Sequence, residues 1–268
     1  MHLSTIDQPQ RASSPAGDHA AVGSRTLLTS ELLCESVDLH AGERVLDVAC
    51  GSGNAALAAA RRFCRVVGVD DDPKLLQRAH GRAEAEGLEV TFLEGDAEDL
   101  PVPDGSFEVV LSADEAMVAL GPGRTAGELL RVCRPGGRIG MVNWAPGGYV
   151  GELVAAVGRH LPPPAGLEPP VPWGSQERLR ELFGPEVAIT APRRSLLWRF
   201  PSAEHQVEFL ASFHGPTARA FQALGPYRAG ALKAELLAAA RRFDVSEDDT
   251  LVLRLDYLEV VVRKPAWR

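Results

Sequence analysis

The stretch LDVACGSGN, residues 46–54, decides how the rest of the chain is read. Leu46-Asp47-Val48 continues an apolar run that opens at Arg44 and is short enough for a strand. Cys50-Gly51-Ser52-Gly53 then supplies a turn, and the alanine-rich residues 54–63 supply a helix. A strand that enters a glycine-rich turn and a helix presents unpaired backbone N–H groups at the strand's carboxyl end. Gly51 and Gly53 let the chain turn tightly and let a ligand approach the backbone. Gly51-x-Gly53-x-x-Ala56 also satisfies the GxGxxG/A dinucleotide fingerprint, which alone separates few ligands.

The same alternation continues outward. Residues 65–70 (RVVGVD) form a second short strand. Asp72 is placed to cap the next helix, Pro73 fits its first turn, and Gly87 stops it after Glu86. Residues 89–93 and 107–112 read as the third and fourth strands. A helix over 124–133 ends at Arg134-Pro135-Gly136-Gly137 and leads to a fifth strand at 138–143. Upstream, residues 22–37 carry Leu27, Leu28, Leu32, Leu33 and Val37 at helical spacing, an amphipathic helix behind a mobile arm at 1–17. Apolar strands alternating with helices imply a parallel sheet buried on both faces and joined by right-handed crossovers.

After Asn143 the pattern changes. A helix at 149–159 precedes LPPPAGLEPPVPW (161–173), too rich in proline for a regular element. A helix at 176–183, an extended segment at 187–200 and helices at 203–213, 217–224 and 228–243 follow, and a strand at 257–263 closes the chain. The expected organisation is an N-terminal arm and lid helix (1–40), a ligand-binding core (41–144), and a helical cap that includes the final sheet strands (145–268).

Composition narrows the partners. The 268 residues carry 28 basic and 36 acidic side chains, a formal charge of −8, so no electrostatic case for nucleic acid exists. No apolar run approaches the ~20 residues that span a bilayer, and residues 1–18 lack the basic start and apolar core of a signal peptide. A cytoplasmic protein with no membrane partner is expected. Cys34, Cys50, Cys64 and Cys133 stand apart, without a CxxC pair or a neighbouring His cluster, so they read as reduced, packed thiols and no metal is expected. Homo-oligomerisation stays open.

Three carboxylates sharpen the ligand. Asp47 sits inside the first strand, four residues before Gly51, where it repels a pyrophosphate and attracts an ammonium group. Asp70 ends the second strand, where a carboxylate can accept both ribose hydroxyls. Asp96 follows the third strand, placed to accept an adenine amino hydrogen. Ammonium, ribose and adenine are the polar parts of S-adenosylmethionine, met in that order along the sheet edge.

These residues resemble a known family. VLDVACGSGNAAL, GVD (68–70), EGDAEDLPVPDGSFEVVLS (94–112) and LLRVCRPGGRIGMVNW (129–144) together resemble a class I S-adenosylmethionine-dependent methyltransferase of the small-molecule type, similar to methyltransferase domains 11 and 25. The resemblance runs from about Gly42 to Trp144. It implies an α/β fold, a Rossmann-like doubly wound seven-stranded sheet, mostly parallel with an antiparallel last strand, plus a helical cap. It also implies S-adenosylmethionine as cofactor, with Asp47, Gly51 and Gly53 around the methionine part, Asp70 on the ribose with Asp71 beside it, and Asp96 and Ala97 at the adenine. Ser112 would face the methionine end and the substrate.

Departures from the family pattern fall near the transferred group. Asp71 and Asp72 stand where an apolar or aromatic residue usually packs on adenine. A glycine-aspartate-aromatic element is replaced by Gly17-Asp18-His19, and the fourth strand leads into Ala113-Asp114-Glu115-Ala116-Met117. The resemblance implies methyl transfer to a small, largely apolar substrate in specialised-metabolite tailoring. The alternative is an enzyme of the same fold that cyclises or rearranges its substrate without methylation. Candidate catalytic groups are His214, Glu115 and Asp114, since a hydroxyl acceptor benefits from a base. His19, Trp144 and Tyr149 are candidates for the lid and substrate pocket, while His160 and His205 read as solvent-facing. The cap residues Trp173, Trp198, Phe209, Phe213 and Phe221 suit an apolar pocket.

Overall fold

In a computed structural model, which describes residues 19–113, 121–162 and 173–266, β1 (Arg44–Val48) lies inside a parallel array. It pairs on one side with β2 (Arg65–Asp70) and on the other with β4 (Phe107–Ala113). β2 pairs in turn with β3 (Val90–Glu94), and β4 with β5 (Cys133–Trp144). Four of the five β1 residues are buried, as a strand covered on both faces requires. One cover is α3 (Asn54–Arg61), whose alanines Ala55, Ala56, Ala58 and Ala59 are almost wholly buried and let the helix lie close to the sheet. The helix that follows β2, α4 (Pro73–Glu86), begins and ends where its sequence dictates. Asp72 accepts the Lys74 N–H at 2.8 Å, and Gly87 takes the left-handed conformation that ends it.

The antiparallel member is β8 (Leu251–Arg263), which pairs with β5 and carries β6 (Ala188–Thr190) and β7 (Arg193–Phe200) along its other edge. The order is β3-β2-β1-β4-β5-β8-β6, with β7 on β8. The resemblance implies seven strands, and the sheet has eight among the described residues because the extended segment after Val187 divides at Ala191-Pro192, where proline offers no N–H to the ladder. β8 also begins six residues earlier than the sequence pattern suggests. Its residues 251–256 run past Trp144, the end of β5, and pair with β7, with an isolated bridge from Leu253 to Asp244 on the other side. Because β8 is antiparallel, this two-stranded ribbon stands beyond the carboxyl ends of the parallel strands.

The N-terminal helix expected over 22–37 is two helices, α1 (His19–Gly23) and α2 (Leu27–Ser36). Ser24 and Thr26 hydroxyls donate back to the carbonyls of Ala21 and Gly23, satisfying the backbone locally where the helix breaks. The expected apolar stripe is also rotated. Leu28 and Leu32 are exposed, and the buried side of α2 is Thr29, Ser30, Leu33 and Cys34. Between β4 and β5 lies α5 (Pro122–Val132), against which α7 (Gln176–Phe183) packs. The remaining helices form the cap: α6 (Tyr149–His160), α8 (Ala203–Phe213), α9 (Gly215–Ala223) and α10 (Pro226–Arg242). α10 packs on α6 and α8, burying Leu153, Leu232, Leu236 and Ala240. No helix of the described residues is long and apolar enough to cross a membrane.

Candidate functional site

The chain leaves β1 through Ala49 and Gly51, each with φ +54°, and enters α3 from Gly53 at φ +87°. The two glycines do different things. A side chain at Gly51 would meet open space, so its absence leaves the turn approachable. One at Gly53 would come within 3.1 Å of the Ala79 Cβ, so its absence lets the turn nest against α4. Arg82 of α4 holds the turn from outside, donating to the Ser52 carbonyl at 2.6 Å and to Asn54 Oδ1 at 2.9 Å. The Asn54 amide donates in turn to the Gly23 carbonyl at 2.8 Å and ties α1 to the same turn.

Two buried carboxylates flank it. Asp47 Oδ2 accepts the Ala56 N–H at 2.8 Å, and Asp70 accepts the N–H groups of Gly51 (2.8 Å) and Asp72 (2.9 Å). Burial pushes the Asp47 carboxyl up to about 7, with the Asp70 charge adding and the Ala56 N–H opposing. Asp70 is raised as well, chiefly by burial and further by the Asp71 and Asp72 charges, against the two backbone N–H groups. Neither has a Lys, Arg or His partner among the described residues. Buried carboxylates of this kind need an opposite charge or strong donors to be stable. S-adenosylmethionine brings an ammonium group and two ribose hydroxyls, so the donor set fits it, and the open face of Gly51 leaves room at the backbone.

A cavity of about 300 Å³ opens beside this turn. At one end it is bordered by Asp47, Gly51, Val22, Gly23 and Ser30; at the other by Trp144, Tyr149, Leu153, Trp198, Leu210 and Leu255. His214 and Arg219 border it too. The structure therefore brings together Asp47, Gly51, Trp144, Tyr149 and His214. The Tyr149 hydroxyl, buried and pushed up in pKa by that burial, accepts from Gln206 Nε2 at 2.5 Å. His214 Nδ1 lies 2.7 Å from Thr217 Oγ1.

The other expected residues lie elsewhere. Asp70 is one hydrogen bond from the cavity, through Gly51. Asp96 is exposed just past β3, with Oδ1 accepting the Glu98 N–H, and Ala97 is half-buried beside it. Asp71 is exposed. Ser112 is buried, with no partner for its hydroxyl among the described residues, and alternation along β4 turns it to the opposite face from Ala113, which borders the cavity. Asp114 and Glu115 lie outside the described residues, as does the side chain of His19, although His19 opens α1. His160 is not solvent-facing: it lies 2.8 Å from Glu235, held between α6 and α10. Of the five aromatic cap residues, Trp198 borders the cavity, whereas Trp173 packs edge-on against Phe183, and Phe209 and Phe213 pack on each other.

Sequence reasoning missed Ser30, Arg82, Arg219 and Leu255. Leu255 carried a signal, since Leu251, Leu253 and Leu255 alternate with Val252, Arg254 and Asp256 as a half-buried strand does. Arg82 and Arg219 sit in helical patterns that read equally well as solvated faces, and nothing local distinguishes them.

Comparison with known proteins agrees with this geometry. A model of the methyltransferase domain matches residues 45–137. An uncharacterized protein of Mycobacterium tuberculosis is 36% identical over 254 residues, 92% of this chain and 91% of that one. The 27-O-demethylrifamycin SV methyltransferase of Amycolatopsis mediterranei is 30% identical over 177 residues, 65% of this chain and 58% of its own. Among solved structures, the YcgJ protein of Bacillus subtilis superposes with a TM-score of 0.65 at 21% identity, over 89% of this chain and 98% of that one, a likeness of fold.

Proposed function

The chain belongs to the class I S-adenosylmethionine-dependent methyltransferase family, and from that premise we propose that it methylates a small, largely apolar acceptor held between the glycine-rich turn and the helical cap. It is an enzyme, and S-adenosylmethionine is its cofactor. One observation carries the proposal: a single cavity borders both the Asp47–Gly51 end and the apolar wall of Trp144, Leu153, Leu210 and Leu255. Its size of about 300 Å³ is at the small end of ligand cavities, roughly 300–1,000 Å³.

On this reading Asp47 stands beside the cofactor's ammonium group and the Gly51 turn carries its methionine part. Asp70 accepts the ribose hydroxyls, and Asp96 and Ala97 hold the adenine with Asp71 nearby. Asp70 and Asp96 support that order by position: Asp70 pairs in register with Glu94, two residues before Asp96, so the two acids end neighbouring strands. Gly53 contributes by close packing on α4, and Ser112 by supporting the strand end behind Ala113.

S-adenosylmethionine supplies a methyl group already activated on a sulfonium sulfur. What the chain adds is binding, alignment and exclusion of water, and positioning alone supplies several kcal/mol in such transfers. Trp144, Leu153 and Leu210 keep the acceptor end dry. Tyr149, whose oxygen already accepts from Gln206, can direct its own proton to an acceptor oxygen. His214 is the imidazole of the described acceptor wall, oriented through Nδ1 by Thr217, and we assign it as the base for a hydroxyl acceptor. The relative named for methylating 27-O-demethylrifamycin SV supports an oxygen acceptor and a tailoring role.

The test is incubation of the purified protein with S-adenosylmethionine and a panel of apolar alcohols, phenols and amines. Release of S-adenosylhomocysteine with a product heavier by one methyl group is expected. Conversion of an acceptor to an isomer of unchanged mass, with no S-adenosylhomocysteine formed, overturns the proposal.

A further inference from the structure

The charged groups that border the cavity are unevenly placed. Asp47 is at the glycine-turn end; Arg219, on α9, is exposed and stands where the cap end of the cavity opens. Arg219 has no carboxylate partner and no aromatic ring beneath it among the described residues. Other cap arginines are engaged. Arg159 pairs with Glu152 and Glu235, Arg241 pairs with Glu204, and Arg25 of the neighbouring α1–α2 turn lies over the ring of Phe209. In a chain with 36 acidic and 28 basic side chains, a guanidinium with no partner among the described residues, at the edge of an apolar cavity, is notable. His214 and Pro216, at the start of α9, border the same space, so the positive end of that helix adds to the field there.

The surrounding wall is apolar, with Val150, Val154, Leu210 and Leu255 within it. A purely apolar acceptor would leave the Arg219 charge to water and gain nothing from it. We infer that the acceptor has an apolar body and one anionic group, a carboxylate, sulfonate or phosphate, which Arg219 reads at the opening while the body occupies the dry end. This rests on the assignment of the cap end as the acceptor site. A guanidinium suits the task because its planar fork meets two oxygens of one anion at once.

Two fluorescent probes test it on the full chain saturated with S-adenosylhomocysteine. 8-Anilinonaphthalene-1-sulfonate carries an apolar body and an anion; N-phenyl-1-naphthylamine has the same rings without the anion. Arg219→Ala is expected to weaken the sulfonate probe about tenfold, as loss of a charge-assisted contact does, and Arg219→Glu further, while the neutral probe binds all three proteins alike. S-adenosylhomocysteine affinity, measured in parallel, is expected to stay constant because Arg219 is not among the charges that act on Asp47. Equal weakening of both probes, or no weakening of either, overturns the role of Arg219 and leaves the acceptor cavity standing. Val154→Trp, which narrows the cavity, is expected to exclude both probes. Undiminished binding of both in that variant overturns the acceptor assignment itself, and the Arg219 proposal with it.

Discussion

The two ends of the cavity are built from different materials. At the glycine turn, the polar groups are the backbone and two carboxylates, Asp47 and Asp70, fixed by hydrogen bonds of 2.8–2.9 Å from Gly51, Ala56 and Asp72. At the cap end the wall is side chains from β5, α6, β7, α8, α9 and β8, held by packing, with Gln206–Tyr149 and His214–Thr217 as polar contacts among them. The first end depends on φ values that few residues adopt, so a substitution there alters the backbone as well as the contact. The second depends on volumes that can be exchanged one at a time. A single scaffold can thus hold one cofactor while its acceptor changes.

The largest effect that sharpens this contrast is expected from Asp70→Ala. On the proposed assignment it removes the acceptor for the ribose hydroxyls as well as the anchor of the Gly51 N–H, and should weaken S-adenosylhomocysteine by at least about 100-fold, two charge-assisted hydrogen bonds at roughly 1.5–3 kcal/mol each. Calorimetry decides, and unchanged affinity in a folded variant removes Asp70 from the site.

Asp47→Asn is expected to act next most strongly, and through pH. The carboxyl is pushed up to about 7 in the ligand-free protein. A cofactor ammonium favours its ionised form, so affinity should fall as pH drops below 7, approaching about tenfold per pH unit. Asn should flatten that dependence and weaken binding at pH 8. The stability sign is opposite. Between the unfolded carboxylate range near ~4 and about 7, the folded state keeps a proton that the unfolded state has lost, so stability declines as pH rises through this window. Asn should therefore raise the melting temperature of the ligand-free protein at pH 8. A lower melting temperature there would mean that the Asp47 charge is already compensated.

At the cap end, Val154→Phe should lower kcat/KM for bulky acceptors by about tenfold, the scale of added methylene-sized groups in an apolar pocket. Cofactor affinity should not move. If it does, the two ends are not separable and the contrast fails. The smallest effect is expected away from both. Phe63, 81% exposed with φ +60°, occupies the left-handed position after α3 where glycine is at ease. Phe63→Gly should stabilise the fold by about 0.5–1 kcal/mol in denaturant titration, the left-handed strain less the entropy cost of glycine, with both binding functions intact.

Legibility in the sequence follows the same division. β2, α4, α7 and α8 match the sequence pattern to the residue; α4 does so because Asp72 and Gly87 punctuate it with capping chemistry, and in the structure Ser175 and Ser202 cap α7 and α8 in the same way. Asp47, Gly51 and Asp70 could be placed because a strand end and a turn fix their neighbourhood over a few residues. The break at Ser24–Thr26 was hidden, since serine and threonine are tolerated inside helices and reveal a break only when their hydroxyls find local carbonyls. The cap wall was less legible still. Trp198 and Trp173 are indistinguishable as sequence, yet tertiary packing sends one to the cavity and the other against Phe183. Contacts between residues as distant as Gln206 and Tyr149 carry no local signature.

The ribbon of β7 with residues 251–256 of β8 gives the cavity a wall that is continuous with the central sheet. Its amides are locked in a ladder that also runs through Val260 and Val262 at the core, whereas the α9 wall is a nine-residue helix. In hydrogen–deuterium exchange the two walls should separate: Leu253 and Leu255 amides exchanging as slowly as the core strands, and those of α9 exchanging early through local opening. The entrance would then be a property of the helical side alone. An acceptor would enter by displacing α9 against a wall that does not yield.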